Sequence, residues 1–317
     1  MIRFLLAGAG VAALAATAAL AAEAIVQNPL LAPWTGSYGG VPPFDKVKVE
    51  HFTPALEAAM AEQLAEVDKI ASDPAPPTFE NTLAALERSG RTLDRVGTIF
   101  GVYSGTMSTP DFQKVEEEMA PRLAAFSDQI TQNEKLFKRI AAVYEARDAA
   151  KLTPEQKRLA WLDYTNFVRA GAKLDPAAKK RLSEINQRLA VLYTKFSQNL
   201  LADEADYVLF LDKESDLAGL PDSLRSAAAS AAEQRGRKGQ WAVLNTRSSM
   251  EPFLTYSDRR DLREKVWRTY YSRGDHGDGH DNNAIITEIL KLRAERAKLL
   301  GYRTHAHWRL ENTMAGT

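Results

Sequence analysis

Residues 275–281, with the sequence DHGDGHD, hold the side chains whose types and spacing best suit metal binding. On an α-helix His276 and His280, four residues apart, would lie on one face, and two such imidazoles can share a metal ion. The carboxylates beside them are those of Asp275, Asp278 and Asp281. Two glycines stand between the histidines, however, and glycine disfavours a helix. The pattern therefore favours a solvated loop between helices, and a metal site is the alternative that it leaves open.

The other histidines, His51, His305 and His307, do not form a second candidate site. His51 precedes a predicted helix and is expected to make a local hydrogen bond. His305 and His307 would point to different faces of a helix start, which indicates packing or capping. No histidine is followed by glutamate, so the sequence contains no H-E-x-x-H zinc-peptidase motif. We assign no catalytic, cofactor-binding or metal-ligating residue to this chain.

Other motifs of catalysis or binding are either absent or better explained by structure. The sequence contains no nucleotide-binding glycine fingerprint, P-loop or G-x-S-x-G motif. The run Glu116–Glu118 is expected to form a solvated helix face, and Arg235, Arg237 and Lys238 are expected to lie in an exposed turn. The tryptophans expected to pack in the core, or alternatively to line a peptide groove, are Trp241, Trp267 and Trp308.

The composition excludes several classes of protein. The 317 residues suffice for one large domain or two smaller ones. Lysine and arginine number 41, as do aspartate and glutamate, so the formal net charge is zero and no overall field attracts nucleic acid or an acidic membrane. The absence of cysteine excludes disulfides, thiolate metal sites and a cysteine nucleophile.

Residues 1–22 are predicted to be a secretory signal peptide. Arg3 supplies the basic start, Phe4–Ala18 is the apolar run, and Ala19–Ala21 has the small-x-small pattern of a cleavage site. An uncleaved N-terminal anchor is the alternative. Export of a protein without cysteine predicts a periplasmic location.

The stretch Asp175–Tyr207 carries the strongest helical pattern in the chain. Asp175 can cap the helix, and Pro176 suits its first turn. Large apolar residues then recur every three or four positions, which is typical of one buried helix face. These residues are Leu182, Ile185, Leu189, Leu192, Phe196 and Leu200. The opposite face, which begins with Lys179 and Lys180, is expected to meet water.

Helices are also predicted on both sides of this stretch. The residues expected to cap them are Thr53, Thr78, Thr109, Asn133, Thr153 and Thr304. The segment from Thr78 to Gly105 is predicted to form one helix, in which Gly90, Gly97 and Gly101 indicate close approach by a neighbour.

Later in the chain, short apolar runs at Tyr207–Leu211 and Trp241–Leu244 are candidates for a small sheet, although runs this short are ambiguous. A helix is predicted between them from Pro221 to Arg235, and helical patterns return over Asp258–Ser272 and Asn283–Leu300. The fold class predicted is mainly α, a multi-helix bundle-like lobe with at most a two-stranded β element.

The predicted organisation has four parts. The signal peptide, 1–22, is followed by an extended arm over 23–48 and a helical lobe over 49–206. A further helical region with the small β element occupies 207–317. No closing signal follows its last helix, so we expect this region to be incomplete at its C-terminus.

Four segments carry a family resemblance: Phe44–Met60, Ala75–Gly90, Arg181–Leu201 and Ala284–Trp308. In this order they resemble the N-terminal half of the bacterial peptidyl-dipeptidases and oligopeptidase A, in the thimet-oligopeptidase family of zinc peptidases. The resemblance extends from about Asn28 to the last residue and is closest to the peptidyl-dipeptidase branch. It implies an almost wholly helical, two-lobed architecture around a deep channel that admits short unfolded peptides.

The resemblance also implies where the chemistry of such an enzyme lies. In this family zinc is held by H-E-x-x-H and a later glutamate, and the glutamate of the motif activates the zinc-bound water. These residues belong to the family's C-terminal half, so none of them is transferred to a position of this sequence.

The function implied is that of an N-terminal portion of an exported zinc metallopeptidase that cleaves short peptides, with release of dipeptides from C-termini. The chain would form part of the substrate channel, with short peptides and the missing C-terminal half as its partners. Alone, it is expected to be inactive and to bind no zinc. The alternative is a free-standing helical peptide-binding or scaffold protein without catalysis.

Overall fold

The structure is a computed structural model that describes residues 28–316. The predicted signal peptide, residues 1–22, lies outside the described residues. The described chain forms two compact units. Unit 1 extends as far as Ala190 and resumes at Ala294, and unit 2 is Val191–Arg293. The domain division expected from the sequence, with a boundary after residue 206, stays a prediction.

The described chain is mainly α-helical, which confirms the predicted fold class. Its helices are α1 (Phe52–Ala71), α2 (Arg91–Thr106), α3 (Pro110–Thr131), α4 (Glu134–Ala146), α5 (Pro154–Arg169), α6 (Pro176–Asp206), α7 (Asp222–Glu233), α8 (Arg247–Tyr256), α9 (Arg260–Tyr271), α10 (Asn283–Leu299) and α11 (His305–Leu310). Helix α8 has no counterpart in the sequence prediction. None of these described helices combines the length and the apolar character that crossing a membrane requires.

Two short strands form the small sheet that the sequence suggested. They are β1 (Leu209–Leu211) and β2 (Trp241–Val243), which pair antiparallel with Phe210 opposite Ala242. A 3-10 turn, Glu214–Leu217, follows β1. The core of unit 2 packs on this sheet and consists of Leu211, Leu217, Leu220, Val243, Met250, Phe253 and Val266.

Side-chain caps begin several helices where the sequence placed them. At α5, Thr153 Oγ1 accepts the Gln156 N–H at 3.2 Å, and Gln156 Oε1 accepts the Thr153 N–H at 3.0 Å. At α6, Asp175 Oδ1 accepts the Ala178 N–H at 2.9 Å. These bonds satisfy amide groups that a helix start leaves without an intrahelical partner.

Helix α6 buries most of the predicted apolar face, but Lys179 differs from its prediction. The buried members of the face are Leu182, Ile185, Leu189 and Leu192. Lys179 was expected to meet water, yet it is only 8% exposed. Its Nζ lies 3.4 Å from Glu134 Oε1, so the first residue of α4 supplies the opposite charge.

Phe52, fully buried, joins the first three helices of unit 1. Its ring centroid lies 4.8 Å from that of Tyr103 on α2 and 5.2 Å from that of Phe112 on α3, both in edge-to-face geometry. Such pairs add a directional preference to apolar burial. The three helices are therefore held in one cluster.

The single helix predicted over 78–105 is broken at Gly90. A π-helical turn, Phe79–Ala84, runs into a short α-helix, Ala85–Glu87, and α2 starts afresh at Arg91. Gly90 lies between them with φ of 76°, a left-handed conformation that ends a helix. Its N–H donates to Glu66 Oε2 at 2.7 Å.

The expected close approach to glycine is right at Gly90 and wrong at Gly97 and Gly101. A Cβ on Gly90 would stand 2.4 Å from the Gln63 side chain of α1. A Cβ on Gly97 or Gly101 would meet nothing within 4 Å among the described residues. Of these three glycines, Gly90 alone combines a positive φ with a neighbouring side chain where a Cβ would stand.

Alanine at Gly90 and at Gly97 should have opposite effects on stability. Gly90→Ala places a Cβ in left-handed backbone and against Gln63, so we expect it to destabilise unit 1 by about 1–2 kcal/mol. Gly97→Ala, in the interior of α2, should stabilise by up to about 1 kcal/mol, because alanine favours the helix. Urea unfolding of both variants tests this, and equal effects would contradict the assigned break.

Asp163, on α5, is a buried carboxylic acid. It is 9% exposed, and its Oδ2 is buried without a hydrogen-bond partner among the described residues. Burial, with the charge of Glu87 as a second cause, raises the pKa of Asp163 to about 7. Near neutral pH this side chain is thus partly protonated in the folded chain.

The free energy of unfolding should fall between about pH 4 and pH 7 because of Asp163. The unfolded chain loses this proton near the ordinary aspartate pKa, whereas the folded chain keeps it until about pH 7, so ionisation favours unfolding in that interval. Each tenfold change in proton affinity corresponds to about 1.4 kcal/mol, so the free energy of unfolding falls by at most about 4 kcal/mol. This decrease is complete above pH 7.

Asp163→Asn should remove this contribution. Relative to the parent chain, the variant should gain stability from about pH 4 to pH 7 in urea unfolding, and the difference should change little above pH 7. Asp45→Asn, at an exposed position, controls for the loss of one negative charge. A constant difference across this range would contradict the assignment.

Candidate functional site

Unit 2 contains a group of carboxylate, imidazole and phenol side chains that segments distant in sequence bring together. The last turn of α6 supplies Asp203 and Asp206, and Tyr207 follows directly. The segment between α9 and α10, residues 272–282, supplies the histidines and Asp278. We call this set the Asp203 cluster; its members are Asp203, Asp206, Tyr207, His276, Asp278 and His280.

Asp203 is the buried member of the cluster. Its side chain has no exposed surface, and its Oδ2 accepts the Gly274 N–H at 2.6 Å. Its Oδ1 accepts no hydrogen bond from the described residues, although the atom is inaccessible to solvent. Burying a carboxylate oxygen without a hydrogen-bond partner is unfavourable. Among residues 28–316, Oδ1 therefore lacks a neighbouring donor or cation that would stabilise it.

The segment that carries the histidines is anchored to α6 at its last residue. Asn282, 1% exposed, accepts from Asn199 Nδ2 at 2.9 Å and donates to the Phe196 carbonyl at 3.2 Å. Its N–H donates to the Gly274 carbonyl at 2.7 Å, so both ends of the segment are joined. The segment is a loop, as predicted. Its ends, however, are hydrogen-bonded to buried polar groups and are not fully solvated.

Both histidines face the buried carboxylate. His280 Nδ1 lies 3.8 Å from Asp203 Oδ1 and 3.7 Å from Asp206 Oδ2. His276 Nε2 lies 3.7 Å from Asp203 Oδ2, and its ring stacks on Tyr207 with 4.2 Å between centroids. These nitrogen–oxygen distances are longer than those of direct hydrogen bonds, so the imidazoles do not bond directly to the carboxylates.

Asp278 and Tyr207 complete the outer side of the cluster. Asp278 accepts the His280 N–H at Oδ1 and the Tyr207 hydroxyl at Oδ2, both at 2.8 Å. The backbone bond from His280 and then the Tyr207 bond lower the pKa of Asp278. The same bond to Asp278 raises the pKa of Tyr207. At neutral pH Asp278 is therefore a carboxylate and Tyr207 a neutral phenol.

The geometry offers ligands for a metal ion. Asp203, Asp278 and His280 each have a ligating atom within 4.8 Å of the corresponding atoms of the other two. Two of these three lie in the segment that the sequence singled out. Asp203 was missed because it lies far from them in the chain, within a helix whose pattern predicts only packing.

The other two carboxylates of the segment shape the loop instead. Asp281 accepts the Gly277 N–H at 2.9 Å and the Asn283 N–H at 2.8 Å, and Asp275 accepts from Asn283 Nδ2 at 2.6 Å. These bonds hold the turn before α10 in its conformation.

The remaining residues considered from sequence do not form sites. His51 Nδ1 accepts the Lys48 N–H at 3.1 Å, and His307 Nδ1 pairs with Thr304 Oγ1 at 2.7 Å, so both make local contacts. Glu117 and Glu118 are exposed, as are Arg235, Arg237 and Lys238. Trp267 does not belong to the core as expected, because it is 48% exposed on α9.

A separate cavity in unit 2 has no group that could do acid–base or metal chemistry. It has a volume of about 310 Å³ and lies among α7, β2 and α8. Its walls are alanine, leucine, valine, phenylalanine, serine and threonine side chains. The Asp203 cluster is therefore the stronger candidate for a site, although it does not line this cavity.

Comparison with known proteins shows which family the chain resembles. Residues 253–317 match peptidase family M3. The dipeptidyl carboxypeptidase of Salmonella typhimurium is 34% identical over 290 residues, which are 92% of this chain and 42% of that protein. Oligopeptidase A of Escherichia coli is 30% identical over 294 residues, again 92% of this chain and 42% of the relative.

The chain is thus similar to members of peptidase family M3, as the four sequence segments indicated. A probable cytosolic oligopeptidase A of Arabidopsis thaliana is likewise 30% identical over 92% of the chain. The chain spans about 42% of the length of these relatives. Its relatives are peptidases, so the class of chemistry in the family is peptide cleavage.

Proposed function

We propose that this chain is the N-terminal part of an exported zinc metallopeptidase that cleaves short peptides, with release of dipeptides from their C-termini. The observation that carries the proposal is the similarity over 92% of the chain to a dipeptidyl carboxypeptidase. That relative is more similar, at 34% identity, than the oligopeptidase A relatives at 30%. The chain's role in this proposal is to form part of the wall of the substrate channel.

The surface of α9 supports contact with a peptide. Trp267 and Tyr271 are 48% and 66% exposed, with ring centroids 5.6 Å apart. Arg268, between them in sequence, pairs with Glu264 at 2.7 Å, so charged groups border the rings. Exposed aromatic rings beside charged groups suit an extended peptide, whose backbone is polar and whose side chains vary.

The zinc of the family's catalytic centre does not fit the residues of this chain. The family motif needs two histidines and a glutamate in H-E-x-x-H, and no histidine here is followed by glutamate. Within residues 28–316, the group with three ligating atoms in reach has two carboxylates and a single imidazole. We therefore derive no catalytic step through zinc from these side chains.

The purified chain should not hydrolyse peptides, because it lacks the residues that activate water in this family. An N-acetylated peptide of about ten residues, incubated with the chain and added Zn²⁺, should remain intact by mass spectrometry. Dipeptide release that a chelator abolishes would contradict the inactivity and place the reaction on residues described above.

Export should remove the leader. We expect the chain produced with residues 1–22 in a Gram-negative host to appear in the periplasmic fraction and to start at residue 22 or 23 in intact-mass measurement. Ala21→Arg, which puts a large charged residue at the cleavage site, is the matched control and should keep the leader. A parent chain that starts at Met1 would contradict the signal-peptide prediction.

A further inference from the structure

We propose that Asp203, Asp278 and His280 bind a divalent transition-metal ion that fastens the loop between α9 and α10 to the end of α6. The proposal does not depend on peptidase activity and would hold for a chain without it. It reverses the sequence expectation that this chain binds no metal.

The distances are close to those of a metal site. Zinc binds imidazole nitrogen and carboxylate oxygen at about 2.0–2.2 Å, so two ligands of a tetrahedral ion stand about 3.4 Å apart. The Asp203 Oδ1 and His280 Nδ1 atoms are already 3.8 Å apart. Asp278 is exposed, and one of its carboxylate oxygens lies within 4.8 Å of the ligating atoms of Asp203 and His280.

The independent indication of a ligand is the state of Asp203. Its carboxylate is fully buried, and Oδ1 has no hydrogen-bond partner within the described chain. The groups that face it are His276 and His280, at 3.7 and 3.8 Å, and neither offers a positive charge unless it takes up a proton. A bound cation would give Oδ1 a partner and compensate the buried charge.

The donor set determines the class of metal. One imidazole nitrogen with two carboxylate oxygens suits first-row ions such as Zn²⁺ and Mn²⁺. Ca²⁺ prefers six to eight oxygen ligands, and Mg²⁺ prefers an octahedral oxygen shell, so both should bind more weakly here. Among the first-row ions, the general affinity order places Zn²⁺ above Mn²⁺.

The loop already has the supports that a bound metal needs. Asp203 is held by the Gly274 N–H, and Asp278 by the His280 N–H, so two ligands are oriented by backbone groups. Gly274 has φ of 72°, and a Cβ there would lie 2.8 Å from Asn282 Nδ2. The backbone therefore approaches the carboxylate at a position that only glycine fits.

The test is calorimetric titration of the full chain with Zn²⁺ after removal of metals with a chelator. We expect one equivalent to bind, and Asp278→Asn and His280→Gln to weaken binding at least tenfold. Both residues are partly or fully exposed, so both variants should keep the parent's circular dichroism. His307→Gln, a histidine outside the cluster, is the matched control and should bind like the parent.

Asp203→Asn tests the buried ligand, and hydrogen exchange tests the role of the ion. Asparagine can still accept the Gly274 N–H, so we expect the variant to fold and to lose Zn²⁺ binding. In the parent chain, Zn²⁺ should slow amide exchange at residues 274–282, and in the three cluster variants it should not. A structural role of Asp203 alone would not produce this metal dependence.

Several results would overturn the proposal. The first is no stoichiometric binding at micromolar free Zn²⁺, and the second is equal affinity in the parent and all cluster variants, which would indicate adventitious binding. Loss of binding in His307→Gln alone would also overturn it. Tighter binding of Ca²⁺ than of Zn²⁺ would contradict the assigned class of metal.

Discussion

A buried carboxylate at the end of a long helix is the constraint on which much of unit 2 depends. Asp203 needs donors that α6 cannot supply, because a helix uses its own amides internally. The chain meets this need with the Gly274 N–H, which requires a left-handed residue after α9 and a loop that turns back at Asn282. The Gly274 bond thus holds the start of the connection between α9 and α10 to the end of α6.

A second buried polar contact holds the other end of this loop to α6. Asn199 and Asn282 are almost completely buried and bonded to each other, so α6 and the loop share an internal polar contact. Unit 1 uses a comparable device, in which the Arg139 guanidinium donates to the Asp73 and Ala75 carbonyls beside the proline-rich turn. Prolines lack an N–H, so such turns depend on donors from other segments.

Sequence reasoning predicted features whose causes are local. The caps at Thr153 and Asp175 are bonds over three residues, and their signals lie within that span. The apolar face of α6 follows from its period alone. The break at Gly90 was missed because the flanking residues continue the helical pattern, and the deciding contacts come from Glu66 and Gln63 on another helix.

The candidate site was predictable only in part for the same reason. The spacing of His276 and His280 was visible, but spacing cannot show that Asp203 lies opposite them, because no local rule relates segments so far apart. Trp267 illustrates the opposite error, since a large aromatic residue on a helix predicts burial while the surroundings leave it exposed. Family resemblance supplied the class of protein, which none of these patterns contains.

The protonation of Asp163 links the folding of unit 1 to the surrounding buffer. Its pKa is raised to about 7 in the folded chain, whereas an unfolded aspartate is ionised at that pH. Folding at neutral pH therefore takes up roughly half a proton at this residue. The buffer releases that proton, so the heat measured for folding includes part of the buffer's own ionisation enthalpy and will differ between phosphate and amine buffers of equal pH.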